Sequence, residues 1–205
     1  MTTVAVVPIK HLDDAKTRLA GRRTPSERRC LVRNLLRNVL STLQESRLVH
    51  KITIVTPDPT VLHEAEFLNI TGILQTNTGL NAAIRLGRDE ALQYRAHAML
   101  VLLPDLPLLT VPDIDALLGA AGEGIVVLAP DRHSSGTNAI VLHPPDAIDP
   151  AFGTNSLYAH RAGAREKGLL VREYHSIGTG FDLDTATDLD ELEHLPRNEI
   201  SCRER

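Results

Sequence analysis

The stretch Ala98-Met99-Leu100-Val101-Leu102-Leu103-Pro104-Asp105-Leu106-Pro107 decides the fold. Its first six residues are apolar without a break. A strand with one wet face would alternate, so the run Ala98–Leu103 predicts a central strand covered on both faces. Pro104 and Asp105 stop it, far short of the roughly 20 apolar residues a membrane helix requires. Asp105 then stands at the carboxyl end of a central strand, where open α/β sheets hold their ligands.

The neighbouring segments supply the rest of such a sheet. Thr3–Val7, closed by Pro8, predicts a buried first strand, and residues 9–23 a polar, basic loop. Thr24, Pro25 and Glu27 have the spacing of a capping box with proline at the first helical position. Val32, Leu36, Val39, Leu40 and Leu43 then recur at helical spacing. Strands are predicted at Lys51–Thr56, Ile70–Gln75 and Gly124–Ala129, and helices after Pro57-Asp58-Pro59, from Leu80 to Ala96 and over Val111–Ala121. This alternation predicts a mostly parallel sheet with helices on both faces. After Pro130 the rhythm changes: a strand at Thr137–Leu142, a helix at Ser156–Lys167, a strand at Leu169–His175, and a last helix from Asp184 or Thr185 to Leu195. The expected organisation is one α/β domain over residues 1–195 and a polar tail over 196–205.

Composition removes other classes. The 205 residues carry a net charge of −4 and suffice for one well-filled core. Two cysteines, Cys30 and Cys202, make no disulfide framework, and no C-x-x-C pair points to zinc. No basic segment precedes the first apolar run, so no signal peptide is expected, and a reducing cytoplasm is the expected location. Aromatic residues are 3% with no Trp, which argues against a stacking platform for nucleic acid. The charge is uneven: residues 1–37 hold nine basic and three acidic side chains, and the remainder is acidic.

Two phosphate motifs are absent, the P-loop and a G-x-G-x-x-G after the first strand. Instead Lys10, Lys16 and Arg18 lie on the loop after that strand, as a polyphosphate cradle or as a solvated basic loop. Asp105, between Pro104 and Pro107, is a candidate Mg²⁺ ligand or a turn residue, since Mg²⁺ takes one or two carboxylates plus substrate phosphates. Asp182 and Asp184 share one face of an extended segment and could complete the site, or Asp184 could cap the last helix. Thr137 and Asn138 after Gly136, and Gly153 and Ser156 at a predicted helix start, could bind an anion or serve as turn and cap residues. His160 alone reads as a structural or surface histidine ahead of a site residue.

Taken in order, Pro8-Ile9-Lys10, Ala15-Lys16-x-Arg18-Leu19-Ala20, Asp105-Leu106-Pro107, Gly136-Thr137-Asn138-Ala139, Phe152-Gly153-x-x-Ser156-x-x-x-His160 and Asp182-x-Asp184-Thr185 span almost the whole chain. The set resembles the CofC/FbiD family, the 2-phospho-L-lactate or phosphoenolpyruvate guanylyltransferases of coenzyme F-420 biosynthesis. The resemblance implies a single-domain, three-layer, Rossmann-like nucleotide-diphospho-sugar transferase fold with a mixed, mostly parallel sheet. It implies Mg²⁺-dependent transfer of GMP from GTP to 2-phospho-L-lactate, phosphoenolpyruvate or 3-phosphoglycerate, with release of pyrophosphate, and a homodimer without nucleic-acid or membrane partners. Carried over, Asp105, Asp182 and Asp184 are the metal ligands. Lys10, Lys16, Arg18, Asn81 and Pro104 face the nucleotide, with Lys10, Lys16, Arg18 and Asp105 catalytic. Thr137, Asn138, Gly153 and Ser156 face the acceptor. Pro104, Leu157 and Ala186 depart from residues common in the family without removing a proposed ligand. A nucleotidyltransferase of the same fold with another base or acceptor, of sugar-phosphate or molybdopterin type, is the alternative, as is a nucleotide-binding protein without catalysis.

Overall fold

The computed structural model of the protein describes residues 1–194. Its strands are β1 (Thr3–Pro8), β2 (Lys51–Thr56), β3 (Thr71–Leu74), β4 (Ala98–Leu102), β5 (Ile125–Pro130), β6 (Thr137–Leu142) and β7 (Leu170–Glu173). They form one sheet in the order β3-β2-β1-β4-β6-β5-β7. The helices are α1 (Pro25–Glu45), α2 (Pro59–Phe67), α3 (Leu80–Gln93), α4 (Val111–Gly119), α5 (Ser156–Glu166), the one-turn α6 (Ile177–Gly180) and α7 (Ala186–His194).

The continuous apolar runs occupy the centre, and every residue of β1 and β4 is buried. Alternate side chains of these strands feed two separate cores. Ala5, Val7, Leu100 and Leu102 pack with α1, α2 and α4 on one face. Val4, Val6, Met99 and Val101 pack with α3 and α5 on the other. Helix α3 lies so close to β1 that a Cβ on Gly87 would fall 2.3 Å from Val6 Cγ1. The predicted capping box is present: Thr24 N–H donates to Glu27 Oε2 at 2.7 Å, and Glu27 N–H to Thr24 Oγ1 at 3.3 Å.

Two features of the topology place the site. The chain runs outward from β1 to β2 and β3, then returns to β4 on the other side of β1. The carboxyl ends of β1 and β4 therefore flank a topological switch point, where a crevice opens. Strand β6 is antiparallel to both β4 and β5, with Leu102 opposite Ala139. This direction carries Thr137 and Asn138 to the carboxyl end of β4, where Leu103 N–H donates to Asn138 O at 3.0 Å. A parallel β6 would have put them at the opposite edge.

Several boundaries differ from the sequence expectation. Helix α3 stops at Gln93 rather than Ala96, because Arg95 turns left-handed (φ 57°) and Ala96 N–H returns to Ala91 O. The basic loop contains two short 3-10 turns, Leu12–Asp14 and Thr17–Leu19. β7 is shorter than predicted, and α6 was not anticipated. The expected helix end at Leu195 and the tail over 196–205 lie outside the described residues.

Candidate active site

The loop after β4 carries Asp105 to the crevice, and the loop after β1 brings Lys16 to meet it. Lys16 sits between the two 3-10 turns with φ 54°, a left-handed conformation costing about 1–2 kcal/mol for a residue with a Cβ. Its Nζ lies 2.7 Å from Asp105 Oδ2 and 2.6 Å from Asp184 Oδ1. The Lys16 side chain is only 9% exposed. Burial pushes its ammonium pKa down, but the charges and hydrogen bonds of Asp105 and Asp184 outweigh that and hold it above the ordinary lysine value. Asp105 Oδ1 is buried and, among the described residues, has no hydrogen-bond partner.

The acidic segment 182–184 is fixed from both sides. Leu183 is fully buried beside Leu19, Leu35 and Leu189. Its N–H donates to Asp105 O at 3.0 Å, which joins the two acidic loops. With Leu183 turned inward, the period-two alternation puts Asp182 and Asp184 on the other side. Asp188 settles which residue caps α7. The N–H groups of Asp184 and Thr185 donate to Asp188 Oδ2 at 2.8 and 2.6 Å, and Asp188 N–H to Thr185 Oγ1 at 3.3 Å. Thr185 is thus the cap, which leaves the Asp184 carboxylate for Lys16. Arg132, stacked 4.6 Å over the Phe181 ring, pairs with the other oxygen of Asp188. Burial, then the neighbouring Asp105 and Asp184 charges, push the Asp182 carboxyl above its usual range.

A cavity of about 650 Å³ opens over this centre, a size suited to a nucleotide. Lys10, Lys16, Arg18, Pro104, Asp105 and Asp184 line it. The segment 75–79 after β3, which no sequence motif marks, forms a further part of the wall. Its position at a strand's carboxyl end was the available signal. Arg18 is 74% exposed and stands 3.8 Å from Asp184.

Asp182 is not among the lining residues, nor are four other candidates, Thr137, Asn138, Gly153 and Ser156. Thr137, Asn138 and Ser156 are buried, and Gly153 has φ 128° with open space where a Cβ would stand. Thr137 Oγ1 lies 3.0 Å from His160 Nδ1. The Asn138 amide donates to Thr179 O at 2.9 Å. Asn81, also outside the cavity wall, clamps the backbone of Phe152: its Nδ2 donates to Phe152 O at 3.0 Å and Phe152 N–H donates to its Oδ1 at 2.8 Å.

Among the described residues no three His, Cys, Asp or Glu side chains form a ready-made cation cage. The unpartnered Asp105 oxygen and the adjacent Asp184 carboxylate nevertheless fit a hard cation completed by phosphate oxygens and water. Among the described residues, no helix is long and apolar enough to cross a membrane.

Comparison with known proteins follows the same lines. The family model "Guanylyl transferase CofC like" matches residues 3–198. A Sphaerobacter thermophilus protein named phosphoenolpyruvate guanylyltransferase is 51% identical over 96% of this chain and 95% of its own length. A Methanothermobacter thermautotrophicus protein named 2-phospho-L-lactate guanylyltransferase is 33% identical over 94% of this chain and 84% of its own. The crystal structure of a putative nucleotide-diphospho-sugar transferase from Desulfovibrio desulfuricans shares the fold, with TM-score 0.79 at 18% identity, covering 98% of this chain and 90% of that one. The matched span takes in the Lys16 loop and both acidic loops that follow it in the chain, and on that ground the chain belongs to the CofC-like guanylyl transferase family.

Proposed function

We propose that this chain transfers GMP from GTP to the phosphate of a small phosphorylated carboxylic acid, releases pyrophosphate, and serves coenzyme F-420 biosynthesis. The observation that carries this reading is Lys16 held between Asp105 and Asp184 at the floor of the switch-point cavity. Phosphoenolpyruvate is the first candidate acceptor, because the 51%-identical relative is named for it.

The reaction forms one bond, from an acceptor phosphate oxygen to the α-phosphorus of GTP. It breaks one, from that phosphorus to the bridging oxygen, whose electron pair leaves with pyrophosphate. An acceptor phosphate, with a second pKa of about 6, is mostly dianionic at neutral pH and needs no general base. The protein's task is then positioning and charge neutralisation. Lys10, Lys16 and Arg18 present three cations to the triphosphate from one loop. Asp105 and Asp184, with Asp182 beside them, would hold Mg²⁺, which supplies further neutralisation at the reacting phosphates. Thr137, Asn138, Gly153 and Ser156 would receive the acceptor's anionic groups.

The test is to incubate the protein with GTP, Mg²⁺ and, in separate reactions, phosphoenolpyruvate, 2-phospho-L-lactate and 3-phosphoglycerate. Pyrophosphate release and a product mass of acid plus GMP are the expected result. Absence of product with all three acids, or equal use of CTP, UTP and ATP, would overturn it.

A further inference from the structure

His160 is fully buried and both of its ring nitrogens are engaged. Ala151 N–H donates to Nε2 at 3.1 Å, so that nitrogen carries a lone pair and no proton. In a neutral ring the proton is therefore on Nδ1. Burial holds the ring neutral, with its pKa lowered to about 4. Nδ1–H can only donate, and the atom it meets is Thr137 Oγ1 at 3.0 Å. Thr137, itself 2% exposed, has no other side-chain hydrogen bond among the described residues. Its hydroxyl has accepted one bond and retains a proton to give. The sequence from Ala151 N–H through the imidazole to the Thr137 hydroxyl thus has one direction, ending in a donor.

We propose that His160 is a positioning residue for the acceptor site: it commits the Thr137 hydroxyl to donate toward an anionic oxygen of the phosphorylated acid. The inference rests on the placement of Thr137 at the acceptor site given above. The ring also touches the neighbouring segment 151–152. The imidazole holds Ala151, one residue before Phe152, and packs edge-on against the Phe152 ring at 4.8 Å between centroids. One side chain therefore ties the β6 end of the site to the segment 151–153. A histidine that merely filled the core would stabilise the fold without favouring one substrate over the other.

A double-mutant cycle separates the two roles. Thr137→Val removes the hydroxyl at nearly constant shape. His160→Gln replaces Nε2 with an amide that can still accept from Ala151 N–H but does not reach Thr137. Each single variant is expected to raise the acceptor KM about tenfold to a hundredfold, the cost of one hydrogen bond to a charged group. The GTP KM should stay within about twofold, and the double variant should be no worse than either single one. His160→Asn, whose amide overlays the Nδ1 side of the ring, should recover most of the acceptor affinity. Additive effects in the double variant, or an acceptor KM unmoved by Thr137→Val, would overturn the proposal while leaving guanylyl transfer intact. Absence of transfer to any phosphorylated acid by the unsubstituted protein would overturn the functional reading and this inference with it. Should His160→Gln not fold, Thr137→Val and His160→Asn carry the same decision.

Discussion

Lys16 Nζ lies within hydrogen-bond distance of two carboxylates that are 79 positions apart in the chain, Asp105 at 2.7 Å and Asp184 at 2.6 Å. The contact joins the loop after β1, the loop after β4 and the turn before α7. A left-handed lysine persists only where its surroundings over-determine it, and such strain concentrates at functional sites. Lys16→Met should lower kcat/KM for GTP by about a hundredfold or more, the scale of removing one preorganised charge from a reacting phosphate. Lys16→Arg should recover only part of the loss, because a planar fork does not occupy the point between two carboxylates as an ammonium does. Steady-state pyrophosphate release measures both.

Asn81 supplies a prediction that divides expectation from geometry. The family resemblance places it at the nucleotide, whereas its amide is spent on both backbone groups of Phe152. Asn81→Ala leaves those groups without partners, at a cost of about 1–3 kcal/mol for each one buried. The acceptor KM should rise at least as much as the GTP KM. A variant defective only toward GTP would assign Asn81 to the nucleotide directly.

The pH dependence of stability follows from His160. Its folded pKa, lowered to about 4, lies below the ordinary value of 6.5. Below pH 6.5 the unfolded ring takes up a proton that the folded one refuses, so its contribution is complete above 6.5 and is lost as pH falls toward 4. Between pH 7.5 and 4.5 this group should remove about 2–3 kcal/mol. Urea unfolding of the native protein and of His160→Gln at both pH values isolates it. The native protein should lose more stability than the variant by that amount, and equal losses would contradict the assignment.

Much of the fold was legible because its signals are local. The unbroken apolar runs of β1 and β4 can satisfy themselves only in the middle of a covered sheet, and Thr24 with Glu27 marks the start of α1 within four residues. The direction of β6 was not legible, since an apolar run has no sense until it is paired. Helix α6 is a single turn capped by Ser176, too short for any periodicity. The left-handed turn that ends α3 falls on Arg95, a residue type that carries no such signal. At the site, the strand-end position of Asp105 and the Asp182–Asp184 alternation could be read directly. Their convergence on Lys16, and the hold of Asn81 on Phe152, are contacts between distant segments that no spacing encodes.

The measurement that bears most directly on the central claim is pyrophosphate release by Asp105→Asn at saturating GTP, Mg²⁺ and phosphoenolpyruvate. The substitution keeps the shape and one oxygen while removing the charge beside Lys16 and the unpartnered Oδ1. A loss of about a hundredfold or more is expected, with the cooperative thermal transition retained. A folded Asp105→Asn protein that still releases pyrophosphate at the native rate in a Mg²⁺-dependent manner would contradict that claim.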